Sequence, residues 1–453
     1  MSLFLRTHLM SGPRLRPAAR CMALIILFFG IELIAVYALH LDSLNVLLQH
    51  HWQIADLHSL AAEPFTSWIY IHLQPPLLNM IVAVFSWINS QTYTNFIILN
   101  CFCAALSSFT ILFVVNRFTG QYKWVGYCFA SAYLLAPSTL LNSAYPFYPS
   151  LTSAGYSALA LSFFTAAQHK RLSLTLLSAS LIFLSLLRSS FPPITAVVVL
   201  GIYFLFIDNR VNWKRNILIV MILSLSPITA VYTKNLLMYN FWGSSSFSPI
   251  NLAKGFGVPV ELNYFPTPEQ INRDRPDIRC EHSYKFIDQA IVKKDGNPNY
   301  NSCYFLAFAQ TQRQTAWEHY DFKQHLRRVM SHVGKYLSLP DRYEYLSNRI
   351  KIQSYANTFN QVFLPWFARD GYAIRLTILL IIAAMPFSLW LLSDKRMIGL
   401  YALSMVHFAT HVITDGDESD RFVFDIEFCF YIFAGFLCLK FFEKKINPHL
   451  QSI

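Results

Sequence analysis

The chain has 453 residues, of which 54% are hydrophobic and only 13% charged, with a mean hydropathy of +0.36. Apolar runs of about twenty residues recur along it, the length that a hydrocarbon slab ~30 Å thick requires, which excludes an ordinary soluble or disordered protein. The net charge of +11 does not indicate nucleic-acid binding, because many of the basic residues lie in short loops beside apolar runs, as membrane topology demands.

In chain order, a basic tail over residues 1–20 (Arg6, Arg14, Arg16, Arg20) precedes predicted helices at 21–41, 72–88, 94–115, 124–141, 150–167, 172–187, 194–207, 216–233, 372–392, 397–411 and 421–440. The first reads as a signal anchor, since no small-x-small cleavage site follows it. The expected fold is an all-α polytopic membrane protein of about 10–11 transmembrane helices with a large extracytoplasmic loop domain. Its parts are a module at 21–233 containing a first outer loop at 42–71, a cap at 234–371, C-terminal helices at 372–441 and a cytoplasmic tail at 442–453. Of the eight cysteines, Cys280 and Cys303 alone share the polar loop, where a disulfide and two free thiols both remain open.

If every predicted helix crosses the membrane, three basic loops fall on the wrong side. They all face the cytoplasm if 72–88, begun by Pro75-Pro76, enters and returns or lies obliquely, leaving ten crossings. Loop 42–71, the turns Tyr145–Pro149 and Arg188–Pro193, the long loop and Asp415–Arg421 then gather on the outer face.

That face carries the candidate chemistry. Polar groups crowd His72-Leu73-Gln74-Pro75-Pro76-Leu77-Leu78-Asn79 at the membrane entry, where unpartnered polar groups cost several kcal/mol. Asp42, at the end of the first helix, suits a general base with a raised pKa, or equally a solvated cap. Asp56 and Glu63 are the other carboxylates considered for that task. His50, His51 and His58 lack the spacing of a metal motif, so no metal site is assigned. Arg188, Lys234 and Arg421 each end or open a helix at the outer face. Each reads as a phosphate ligand or as a snorkelling anchor.

These residues resemble, in order and over roughly 42–425, the C-type glycosyltransferase superfamily, and within it the protein O-mannosyltransferase-like bacterial members. The elements are Asp42, Ser67–Asn79, Leu187–Phe191, Thr233-Lys234-Asn235 with Trp242–Ser246, and Asp420-Arg421-Phe422. The chain departs from the pattern where Ser43, not a second acid, follows Asp42. The resemblance implies transfer of a sugar from a polyprenyl-phosphate donor to a lipid, glycan or protein hydroxyl by direct displacement at the anomeric carbon. Catalytic candidates are Asp42 by preference, then Asp56, with His72. Gln74 and Asn79 would orient the donor, Tyr145 and Tyr148 would line its groove, and Arg188, Lys234 and Arg421 would meet the phosphate. No cofactor is required; a divalent metal is compatible but not indicated. The absence of an Asn-x-Ser/Thr sequon favours a bacterial plasma membrane, with the site facing outside. The competing readings are a polysaccharide ligase or polymerase, and a transporter. The apparent scarcity of charge in helix interiors, where Glu32 is the main acid, weighs against transport.

Overall fold

The computed structural model describes residues 17–38, 53–89, 91–118, 122–207, 213–256, 290–336, 385–386, 394–414 and 423–446. Among them the secondary structure is helical, apart from an isolated bridge between Val292 and Pro298. The helices are α1 (Pro17–Ala38), α2 (Leu57–Ala62), α3 (Leu77–Ile88), α4 (Thr92–Asn116), α5 (Trp124–Leu134), α6 (Pro137–Ala144), α7 (Pro149–Thr165) and α8 (Lys170–Leu187). They continue as α9 (Pro193–Phe206), α10 (Trp213–Tyr239), α11 (Ser248–Phe256), α12 (Cys303–Glu318), α13 (Phe322–Tyr336), α14 (Lys395–Thr414) and α15 (Val423–Ile446).

Proline opens α6, α7 and α9 at their first helical positions, where its missing N–H is not needed. Among the described residues four helices, α1, α4, α8 and α10, are long and apolar enough to cross a membrane; α5 with α6 makes a fifth if the pair is one span. Their exposed apolar side chains, such as Ile34 on α1 (70% exposed) and Leu237 on α10 (71%), match lipid rather than water.

Three predicted helices differ from the structure. The helix expected at 124–141 is bent by 50° between α5 and α6, because Pro137 drives Ala136 into an extended conformation. The helix expected at 72–88 begins only at Leu77, after a 3₁₀ turn at Ser67–Tyr70 and the two prolines. The helix expected to end at 233 runs through Pro227 to Tyr239 and stops where Asn240 takes a left-handed φ of 50°. Lys234 therefore lies inside α10 rather than at its end. The helix expected at 372–392 lies outside the described residues except for 385–386.

The bundle has two chemically distinct ends. α7 is buried on all sides, ~25 Å long, and packs against α4, α8 and α15. At its first residues the Tyr148 ring carries Arg188; at its last turns Phe164 meets Arg396, and Arg117 of the α4 terminus feels the same Arg396 charge. One apolar cluster contains Val36 near the end of α1, Tyr93 at the start of α4, and Leu78 and Val82 of α3. The chain thus returns to the end it left, and α3 does not traverse the bundle.

Small residues let α7 approach its neighbours closely. A Cβ on Gly155 would stand 2.7 Å from Leu184 Cδ2 of α8. Gly155→Leu is expected to destabilise the protein by about 1–2 kcal/mol, the collision outweighing ~1 kcal/mol of gained helix propensity. Thermal unfolding in detergent reads this directly.

Candidate functional site

The backbone from Tyr70 to Leu73 is satisfied almost entirely by distant parts of the chain. Asn301 Oδ1 accepts from the amides of His72 (2.8 Å) and Leu73 (3.0 Å), while its Nδ2 donates to Tyr70 O. The Tyr239 hydroxyl also donates to Tyr70 O, Lys234 Nζ to Ile71 O, Ser246 N to His72 O, and Ser245 Oγ to Leu73 O. The His72 ring is fully buried against Tyr239, with Nδ1 2.9 Å from Ser246 Oγ. Its Nε2 has no hydrogen-bond partner among the described residues. Burial, reinforced by the Lys234 charge, pushes the His72 pKa down to about 3, so the ring is neutral at physiological pH.

The preceding loop is tied by the same logic. Asp56 Oδ2 caps α2 through Ser59 N and Oγ, and its Oδ1 accepts from Lys294 N. Both oxygens thus accept hydrogen bonds that anchor the loop. Buried Lys293 donates to Ile54 O, and burial lowers its pKa. Asn79 accepts from Ala55 N and donates to Gln53 O, fastening α3 to this loop. Gly296, at φ 87°, permits the turn that presents Lys293 and Lys294.

Arg188 caps α8 and is buried. Its Nη1 is 2.7 Å from Asp425 Oδ2 on α15, and its guanidinium lies 4.4 Å from the Tyr148 ring centre. His407 Nε2 of α14 is 3.4 Å from the same Asp425 oxygen, and the His407 and His411 rings are 4.3 Å apart. His407, His411 and Asp425 are the described residues that could together hold a metal.

Two cavities are lined by residues close in sequence to these groups. A groove of about 660 Å³ is lined almost wholly by apolar side chains of α3, α4, α7 and α8, including Leu77, Met80, Leu106, Leu151, Ala158 and Phe183. Its α3 wall starts directly after Pro75-Pro76, its α7 wall three residues after Tyr148, and its α8 wall ends five residues before Arg188. A second cavity, of about 330 Å³, is mixed in character. Ser189, Ser190, Ser244, Asn251, Arg313 and Thr410 supply polar groups there, and Trp242 and Trp317, each more than half exposed, supply aromatic faces.

Of the residues singled out from sequence, His72, Gln74, Tyr145, Tyr148 and Arg188 are buried at this one end; Ile71, Tyr145, Tyr148 and Leu187 share one apolar cluster. Lys234 is bonded to the elbow backbone, and Asp56 and Asn79 hold the neighbouring loop. Asp42 and Arg421 lie outside the described residues. Asn301, Arg313, His407, His411 and Asp425 were not anticipated, whereas Ser246 belongs to the Trp242–Ser246 stretch already singled out. The i, i+4 spacing of His407 and His411 and the acid in the first turn of α15 were the available signals. Asp425 and Glu427 also correct the expectation that Glu32 is the main acid inside the helices. Comparison with protein-family models, curated proteins and solved structures finds no match to this chain.

Because His72 stays neutral when folded, the unfolded chain binds more protons between pH 6.5 and about 3. Stability is therefore lost as pH falls through this window, by about 2 kcal/mol at pH 5. Denaturant unfolding at pH 7.5 and 5 is expected to show that loss in the wild type, with a smaller one in His72→Gln.

Proposed function

We propose that the protein is a membrane glycosyltransferase that moves a sugar from a polyprenyl-phosphate donor to an acceptor hydroxyl. The observation that carries this reading is buried Arg188, which lies along the chain between Phe183 of an apolar groove and Ser189 of a polar, tryptophan-flanked cavity. A lipid-phosphate sugar has the same three-part chemistry: an isoprenoid chain suits the groove, a phosphate suits a guanidinium, and a sugar suits hydroxyl, amide and indole groups. The ordered sequence resemblance supports the same class.

In this mechanism Asp42 takes the acceptor proton as the hydroxyl oxygen attacks the anomeric carbon. The bond from that carbon to the phosphate oxygen breaks, and Arg188 stabilises the departing lipid phosphate. Asp425 orients the guanidinium through its Nη1. His72, being neutral, acts as a polar wall rather than a cation. The basic end of the bundle, with Arg117 and Arg396, faces the cytoplasm, so all described traverses alternate and the site opens outside. The disulfide at Cys303 suits an oxidising compartment on that side.

A second reading, transport, draws on the acids within helices: Glu32 is fully buried with Oε2 unpartnered among the described residues, and Glu427 bonds Ser138. Proteoliposomes separate the two, because a transferase produces a new glycosidic bond without an imposed gradient.

With purified protein and radiolabelled polyprenyl-phosphate sugars, transfer is expected in the wild type and none in Asp42→Asn. Arg188→Lys keeps the charge but loses the fork, and is expected to raise the donor KM about tenfold or more. Ala158→Phe, which fills the groove, is expected to weaken long-chain donors far more than short-chain ones. Equal loss for both chain lengths would remove the groove from the account.

A further inference from the structure

The geometry points to a transition-metal site, of the zinc class, formed by His407, His411 and Asp425. The two histidines are one turn apart on α14, and Asp425 faces them from the first turn of α15. One donor atom from each lies within 4.8 Å of the others, and all three side chains are at least 98% buried. His407 Nε2 stands 3.4 Å from Asp425 Oδ2, so the imidazole faces the carboxylate whose other oxygen would take the ion.

The carboxylate supplies an independent observation. Asp425 Oδ2 is held by Arg188, whereas Oδ1 is buried and has no hydrogen-bond partner among the described residues. An unanswered carboxylate oxygen in a buried setting is unfavourable unless a cation or donor meets it. A dication on Oδ1, completed by the two imidazoles, answers that need. Arg188 then becomes the partner that orients a ligating carboxylate, an arrangement metal sites commonly use. Two nitrogens and one oxygen select a borderline ion such as Zn²⁺ over Mg²⁺ or Ca²⁺, which take oxygen ligands.

Three protein ligands leave one coordination position. Thr410 shares the histidine face of α14, at i+3 from His407, and it lines the polar cavity. The open position is therefore assigned to an oxygen ligand arriving from that cavity, water or an anionic oxygen. The metal and Arg188 together make this corner strongly anion-attracting. Metal binding itself does not depend on the transferase reading.

The test uses the full chain purified in detergent with metal-free buffers. Metal content is measured after Zn²⁺ loading and desalting, and Co²⁺ is titrated as a spectroscopic probe. About one equivalent of Zn²⁺ per chain is expected, with the visible bands of low-coordinate Co²⁺, which Zn²⁺ abolishes. His411→Gln and His407→Gln are each expected to lose affinity by roughly 100-fold, whereas His332→Gln on α13, whose ring meets Val412 O of α14, retains it. Zn²⁺ should also raise the thermal midpoint of the wild type and not of His411→Gln. Wild-type protein with no retained zinc and no Co²⁺ bands would overturn the proposal, as would undiminished binding in a His407→Gln/His411→Gln double variant. None of these readouts requires a sugar donor, so failure of the transferase reading would leave them intact.

Discussion

The structure depends on how the bent backbone at residues 70–73 is satisfied inside an apolar bundle. Pro75 and Pro76 follow after Gln74 and donate nothing, and beyond Tyr70, the last residue of the 3₁₀ turn, the segment belongs to neither a helix nor a sheet. Six of its backbone groups are met by Asn301, Tyr239, Lys234, Ser245 and Ser246, which come from α10 and the chain beyond it. Irregular backbone at such a place survives only when protein groups replace water. The elbow can therefore form only once α10, the 241–246 strap and the segment leading into α12 are in position. This makes the candidate site a product of the whole chain rather than of one loop.

That clamp sets what lies on either side. α3 starts from the elbow and forms one wall of the apolar groove, while Ser244 in the strap lines the polar cavity. Arg188 lies along the chain between Phe183 of the groove and Ser189 of the cavity, held by Asp425 and stacked on Tyr148. A buried guanidinium is stable only because a carboxylate shares its burial, and removing either partner would strand the other. The pairing also fixes where α15 and α14 sit, which brings His407 and His411 beside the same acid. Apolar space, a cation, an acid and two imidazoles are thereby collected at one end of the helices, with Arg117 and Arg396 at the opposite end.

Much of this was readable in the sequence, for identifiable reasons. Pro149 and Pro193 marked helix starts to within a residue, since proline at the first helical position leaves little ambiguity. The reading that the segment around Pro75-Pro76 enters and returns or lies obliquely came from charge placement together with its shortness and its double proline; in the structure Val36 of α1, Leu78 and Val82 of α3 and Tyr93 of α4 share one apolar cluster. What failed to show were interactions between residues far apart in sequence. Lys234 looked like a cation at a helix mouth, but α10 extends beyond it and its ammonium donates to Ile71 O. Asp56 looked like a spare base, yet Ser59 and Lys294, the latter 238 residues away, occupy it. Asn301 carries no motif and was invisible, although it satisfies three elbow groups. Asp425 was masked by its setting in an aromatic, apolar run, and its significance appears only when Arg188 and His407 are placed around it.

The central claim is that a lipid phosphate lies with its chain in the α3–α4–α7–α8 groove and its head at Arg188. The most direct measurement is photocrosslinking with a polyprenyl-phosphate analogue bearing a photoreactive group in its chain, followed by peptide mapping. Labelling is expected on α3 and α8, around Met80 and Phe183, and is expected to fall when unlabelled polyprenyl phosphate competes. Labels spread over the lipid-facing sides of α1 and α10, unchanged by competitor, would contradict the claim.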